Sequence, residues 1–302
     1  MSSTRLRWLL VALATFAALV FVACGDDEEE SGGEGGGGDA AADVKQFPAD
    51  SALGRIQEEG KITIGVKYDV PPFGFRNPQS DEIEGFDVDM GRHIADALGV
   101  EPEFIEAISD NRIPFLMRDR VDLILSTMTI TGERDTEIDF SEPYYIARGR
   151  ILVPGDSQIK GIADLDGDTS VCTALGSTYE ETLKKEAPDS ELRLVDSYPE
   201  CQELLQNGAV DAISTDDVIL TGMIIQDDTL KLVGDNLTTE PYGVGIKQGN
   251  RQMKQLVDET LQAVKDDGRW EDSYQEWVGQ YTDQQQKPPT MTLEEAVELA
   301  PE

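Results

Sequence analysis

Three short stretches of the chain carry side chains suited to ionic chemistry on a small molecule. Thr127-Met128-Thr129-Ile130-Thr131-Gly132-Glu133-Arg134 sets hydroxyls at alternate positions ahead of a guanidinium. On extended chain, alternate positions share one side. A guanidinium at the helix start that follows suits a carboxylate, which it grips through two parallel N–H donors. Backbone N–H groups at such a start also favour an anion. Gly176-Ser177-Thr178 opens another helix after a strand, again with hydroxyls. Asp216 ends a strand, where a carboxylate is a natural partner for an ammonium group. Each has a plainer alternative: threonines as strand filler, Arg134 as a surface charge, Asp216 as a turn former. Ser177 and Thr178 are expected to cap their helix in any case, because Ser177-x-x-Glu180 and Thr178-x-x-Glu181 overlap as capping boxes.

The elements that must hold these groups alternate along the chain. Ile62, Ile64, Val66 and Tyr68 recur at every second position, which predicts a strand. Helical spacing follows at residues 86–98 (Phe86, Met90, Ile94, Leu98), with Gly99 where a C-terminal cap belongs. Residues 111–120 read as a helix and 121–126 as a short buried strand. The pattern then restarts with a strand at 169–174, a helix running to 186, a helix at 198–206 and a strand at 210–214. Leu116…Val121-Asp122-Leu123-Ile124 and Leu205…Val210-Asp211-Ala212-Ile213 echo one another. Alternating strands and helices predict an α/β fold with largely parallel pairing, built as two similar lobes. Pro143-Tyr144-Tyr145-Ile146 and Glu240-Pro241-Tyr242-Gly243 are candidate crossovers between them. The expected division is residues 50–147 and 245–283 in the first lobe and 148–244 in the second. Residues 250–283 read as helices, and 284–302 as a peripheral polar tail. A cleft between domains is a favoured small-molecule site, and hinge closure is a known switching mode.

Charge and the chain's N-terminus narrow the function. The 302 residues carry 60 Asp and Glu against 25 Lys and Arg, a net charge of −35. Nucleic-acid binders bring positive charge to phosphate, so no nucleic-acid partner is expected. Arg5 and Arg7 precede an uncharged run at residues 8–23, the layout of a secretory signal over residues 1–23. That run is short for a bilayer span, which takes roughly 20 residues; a permanent membrane anchor is the alternative. Phe21-Val22-Ala23-Cys24-Gly25 resembles a bacterial lipoprotein box, which implies lipid on Cys24. Residues 25–43 hold eight acids and no base, so 24–49 reads as a flexible tether. Residues 44–302 still hold 52 acids and 23 bases. With Cys24 lipidated, Cys172 and Cys201 remain as an even pair in an exported protein and read as a disulfide; two separate buried thiols are the alternative. His93 stands alone in an apolar-periodic segment and reads as a helix residue. No metal site and no cofactor are expected.

The chain resembles an amino-acid-binding protein of an ABC importer, in the polar amino acid branch of the extracytoplasmic solute-binding family. The resemblance rests on Pro72-Phe73-Gly74-Phe75, Gly85-Phe86-Asp87-Val88-Asp89, Thr129-Ile130-Thr131-Gly132-Glu133-Arg134, Ile138-Asp139-Phe140-Ser141, Tyr144-Tyr145, Asp164-Leu165-Asp166-Gly167 and Asp211-Ala212, in family order from about residue 60 to 280. It implies a two-lobed, type II periplasmic-binding-protein-like fold and no enzymatic activity. It puts Arg134 on the ligand α-carboxylate, helped by Thr129, Ser177 and Thr178. Asp216 would bind the α-ammonium with Thr127 beside it, and Phe73 would pack on the aliphatic stem. Ser109-Asp110-Asn111-Arg112-Ile113-Pro114 resembles the segment that sets Ser109 and Arg112 at the distal carboxylate in acidic-amino-acid binders. Lys67, at the end of the first strand, would face the ligand side chain.

Gly65-Val66-Lys67-Tyr68-Asp69 and the second-lobe cysteines look most like actinobacterial glutamate-binding lipoproteins. Glutamate or aspartate is therefore the expected ligand, with glutamine or another polar amino acid as the alternative. Arg112 as a structural arginine and Lys67 as a rim charge stay open. The implied partners are the transmembrane subunits of a permease with a separate ATPase subunit, since the chain shows no ATP-binding motif. The implied setting is a monomer held by lipid on the outer face of the cell membrane. Two other classes are weighed: a dehydratase of the same fold, for which no catalytic motif stands out, and a module presenting ligand to a sensor.

Overall fold

The computed structural model describes residues 44–282 and 285–301. The signal segment, Cys24 and the tether up to residue 43 lie outside the described residues. Two mixed sheets organise the rest. The first orders its strands Glu101–Glu106, Lys61–Val66, Leu123–Ile124, Gly245–Ile246 and Asp139–Phe140. Its first three strands run parallel, and the Gly245–Ile246 strand pairs antiparallel on both sides. The second orders Glu191–Val195, Ser170–Ala174, Ala212–Asp216, Tyr145–Pro154 and Leu230–Val233. It too opens with three parallel strands and then turns antiparallel.

Two strands carry the chain between these sheets. The Tyr145–Pro154 strand leaves the first for the second, and the Thr239–Tyr242 strand returns. They pair with each other, Tyr145 opposite Tyr242 and Ile146 opposite Pro241. Tyr144, Tyr145 and Tyr242 are buried here with Phe73 and Phe86. Phe73 meets Tyr145 edge-on at 4.8 Å and Phe86 at 5.4 Å between ring centres. Trp270 donates its indole N–H to the Tyr144 carbonyl at 2.7 Å, which ties the Arg269–Trp277 helix to the hinge.

Where periodicity was strong, the elements match it. The Phe86–Leu98 helix buries Phe86, Met90, Ile94 and Leu98. Gly99 takes a φ of 69°, and its N–H reaches the Ala95 and Asp96 carbonyls. The echo between the lobes has a physical content. Asp122 Oδ2 accepts from the Thr63 N–H at 2.8 Å and the Thr63 hydroxyl at 2.6 Å. Asp211 Oδ2 accepts from the Ser170 N–H at 2.8 Å and the Ser170 hydroxyl at 2.7 Å. Each carboxylate holds a hydroxyl residue in the first half of the strand that lies in the middle of its lobe's three parallel strands.

Four local expectations are corrected. Of residues 121–126 only Leu123–Ile124 pairs as a strand, and the strand read at 210–214 runs instead as Ala212–Asp216. Ser177 does stand at the N-cap of the Thr178–Glu186 helix, but its side chain makes no capping bond; its hydroxyl lies 3.2 Å from that of Thr173. The tail docks. Gln286 exchanges hydrogen bonds with both the N–H and carbonyl of Ile146, at 3.1 and 2.9 Å. The short Leu293–Leu299 helix carries a complete Thr292–Glu295 capping box and buries Ala296 with Ile138 and Phe140.

The cysteine pair is joined. Cys172 and Cys201, 29 residues apart, form a disulfide with a Cα–Cα distance of 5.6 Å. It staples the Tyr198–Gln206 helix to the strand Ser170–Ala174.

Candidate functional site

The residues singled out by type collect at the carboxyl ends of the parallel strands. Lys67 follows Val66, Ser109 follows the Glu101–Glu106 strand, and Thr127 follows Leu123–Ile124. In the second lobe Gly176, Ser177 and Thr178 follow Ala174, and Asp216 ends its strand. In open α/β sheets this is the end where ligands bind, since loops and helix starts converge there.

Arg134 and Arg112 meet the second lobe at one atom. Arg134 Nη2 donates to the Gly176 carbonyl at 3.0 Å, and Arg112 Nη2 donates to the same oxygen at 3.3 Å. Only glycine permits that approach. Gly176 has a φ of +73°, and a Cβ there would stand 2.7 Å from Asp110 Cα. Arg134 also donates to the Thr129 carbonyl at 2.8 Å, and its own N–H donates to the Thr131 hydroxyl, the N-cap, at 3.2 Å. Burial holds the Arg134 guanidinium below its ordinary value. A cavity of about 980 Å³ opens beside this contact, lined among others by Ser109, Arg112, Arg134, Gly176 and Thr178.

Arg112 gives most of its donors to main-chain carbonyls. Its Nε donates to the Ser109 carbonyl at 3.1 Å, and Nη1 donates to the carbonyls of Ser126 and Thr127 at 3.0 and 2.9 Å. With Gly176 added, four of its five N–H donors go to main chain. Burial, then Arg134, pushes it down to about 9. Lys67, like Arg134, has donors to spare. It is 2% exposed, donates to the Ser109 hydroxyl at 2.9 Å and lies 5.8 Å from the centre of the Tyr198 ring. Burial and then the Arg112 charge lower it to about 7.

The threonine run does not form the alternating strand read from its sequence. Thr127 adopts a left-handed φ of 45°, and its N–H donates to Asp87 Oδ2 at 2.7 Å. Thr129 makes one isolated bridge with Tyr242, and its hydroxyl donates to Glu240 Oε2 at 2.6 Å. Thr178 donates to the same oxygen at 3.0 Å. Asp216 is buried, and Tyr179 donates to its Oδ1 at 2.9 Å. Burial, then the nearby Glu240 charge, holds Asp216 well above the carboxylate range. Phe73 is fully buried among the hinge rings. Asp87, buried and raised to about 7 by that burial, accepts from the Tyr144 hydroxyl at 2.7 Å.

Glu240, Tyr179 and Tyr198 were not singled out as site residues by sequence. For Glu240 the available signal was an acid between threonines and an apolar Pro-Tyr, on a crossover. Among the described residues no cluster of His, Cys, Asp and Glu is arranged to hold a metal ion, and no helix is long and apolar enough to cross a membrane.

Arg134 and Asp216 come from different lobes, both are buried, and the Asp216 charge acts on Arg134. Residues 62–280 match the family model of bacterial extracellular solute-binding proteins, family 3. The chain is 36% identical over 272 residues to the ABC transporter glutamine-binding protein GlnH of Bacillus subtilis, covering 89% of this chain and 96% of that one. It is 30% identical over 281 residues to the glutamate-binding protein GluB of Corynebacterium efficiens, covering 88% of each. An ancestral arginine-binding protein, solved bound to glutamine, superposes with a TM-score of 0.70 at 34% identity, over 73% of this chain and 98% of that one. The fold is the two-lobed, type II periplasmic-binding-protein-like fold, and the chain belongs to the bacterial extracellular solute-binding proteins, family 3.

Proposed function

We propose that the chain captures an amino acid, L-glutamate in the first reading, and delivers it to an ABC permease. The observation that carries this is the pairing of buried charges across the cleft. Burial raises Asp216 and lowers Arg134 and Lys67, so each gains from an opposite charge brought to it. A zwitterion offers its carboxylate to Arg134 and its ammonium to Asp216. Because those groups sit on different lobes, the ligand favours the closed state by binding it better. A second carboxylate, at the end of the ligand side chain, suits Lys67.

Glutamine is the second reading, and one observation favours it. Arg112 gives four donors to main-chain carbonyls, which leaves Lys67 as the main distal cation, and an amide oxygen satisfies a single ammonium. The remainder of the proposal is a monomer, lipid-anchored through Cys24 on the outer face of the membrane, with transmembrane permease subunits and a separate ATPase as partners.

Calorimetry at two pH values separates the ligands. Arg112, Asp69, Asp216 and Asp87 all act on Lys67, and Tyr198 faces it. A ligand carboxylate raises Lys67 from about 7, so glutamate binding takes up a proton above that value. Its affinity is greatest below pH 7 and falls as pH rises, by up to about tenfold per unit. Glutamine lacks the second charge, so its affinity falls less over the same range. Asp87 also titrates near 7, but it acts on both ligands, so the glutamate-minus-glutamine difference isolates Lys67. Lys67→Met removes that difference. Tight glutamine binding with glutamate a hundredfold weaker at pH 6.5 overturns the first reading in favour of the second.

A further inference from the structure

The hydroxyls of Thr129 and Thr178 face away from the role that the family resemblance implies for them. Both donate to Glu240 Oε2, at 2.6 and 3.0 Å, while Thr238 donates to Oε1 at 2.6 Å. A hydroxyl has one proton, so a threonine that donates it to Glu240 has none to give a ligand carboxylate. Glu240 is fully buried on the returning crossover strand. Thr129 belongs to the first lobe's wall and Thr178 to the first turn of a second-lobe helix. Arg134, Asp216 and Tyr179 are the ionisable groups whose charges act on or with it.

We propose that Glu240 is a positioning residue that latches the cleft, joining the two walls through a single carboxylate oxygen when the lobes meet. Opening the hinge moves Thr178 away from Thr129, so one of the two must leave the carboxylate. Bonds to an ionised carboxylate are stronger than neutral ones, so the latch resists opening. It also fixes the Thr129 segment whose carbonyl holds Arg134, and the helix start that follows Gly176. The consequence is on release: Glu240 slows the departure of the ligand without touching it. This rests on the cleft being the amino-acid site.

The test uses the mature chain, release of radiolabelled glutamate under an unlabelled chase, and small-angle scattering without ligand. Glu240→Gln is expected to speed release roughly tenfold, the size of a lost charge-assisted bond, with association within twofold of wild type. The ligand-free radius of gyration should rise. Thr178→Val, which keeps shape and removes the hydroxyl, should give a similar effect, and the double variant no more than either single one. Fully additive losses, or a lowered melting temperature with unchanged release, overturn the proposal. Should Glu240→Gln fail to fold, Thr178→Val decides alone, and unchanged release overturns it. If wild-type protein binds neither glutamate nor glutamine, the functional reading fails, while scattering still decides the latch: identical radii for wild type and Thr178→Val reject it.

Discussion

The two lobes repeat each other at one end of their sheets and diverge at the other. At the amino ends, Asp122 holds Thr63 and Asp211 holds Ser170 with the same pair of bonds. At the carboxyl ends, the first lobe presents Lys67, Arg112 and Arg134, and the second presents hydroxyls and Asp216. The difference follows from what each end must do. Starting a parallel strand is the same task in both lobes, and one device serves twice. A zwitterion has two unlike ends, so its two walls cannot be alike. In this acidic chain the first lobe concentrates cations against the background sign, and the second follows it.

The largest effect is expected where that division is removed. On the proposed reading, Arg134→Ala removes the cation assigned to the ligand carboxylate and leaves that carboxylate unpaired in a closing cleft. Truncating one partner of such a buried pair costs about 2–5 kcal/mol. Calorimetry should show binding weakened at least thirtyfold, and Asp216→Asn should do the same from the other wall. Retained affinity in either variant means that one wall suffices, and the comparison fails at the ligand end.

The disulfide is the second asymmetry, because only the second lobe is stapled. Cys172 lies on the Ser170–Ala174 strand and Cys201 on the helix that carries Tyr198, the ring facing Lys67. Replacing both with alanine should lower unfolding free energy by about 3–4 kcal/mol on the chain-entropy model, read by urea denaturation. Affinity should fall less than in Arg134→Ala, since no charge is lost. An unchanged midpoint would show that helix packing alone holds this wall.

How much of this was legible depends on distance along the chain. The Phe86–Leu98 helix shows in the sequence because its buried positions and its glycine cap are local. The disulfide follows from a count of cysteines in an exported chain. Asp216 stands out as a carboxylate at a strand end, and Arg134 as a guanidinium at a helix start. Thr127 breaks the expected alternation, and the carboxylate that its N–H meets there, Asp87, lies 40 residues upstream, out of reach of a local reading. Glu240 was seen only as part of a crossover, since its partner Thr129 is 111 residues away. The tail reads as peripheral because its anchors are scattered through a polar stretch: Gln286 pairs with Ile146 of the crossover, and Met291, Leu293, Ala296 and Val297 pack with Ile138 and Phe140, all far away in sequence. Arg112 shows the same limit from the other side: a charge is visible in sequence, but which carbonyls take its protons is not.

The smallest effect bears on the shared end and is the sharper test of repetition. Asp122→Ala and Asp211→Ala each remove two bonds from one carboxylate oxygen to the first half of the middle parallel strand. If the clamps were equal in energy as well as geometry, the two losses would match. They should not, because the first clamp is partly buried and the second is exposed. A donor left unpaired away from water costs about 1–3 kcal/mol, whereas one that water can reach loses far less. Urea unfolding should therefore show Asp122→Ala lowering stability by about 1–2 kcal/mol and Asp211→Ala by less than about 1 kcal/mol. Neither should change ligand affinity by more than about twofold, because both lie at the opposite end of their sheets from the site. Equal destabilisation would mean that the clamps work through strand geometry rather than through desolvated donors. A loss of affinity from Asp122→Ala would mean that the amino end of the first sheet reaches Lys67 through the strand it starts, and the two ends would no longer be separable.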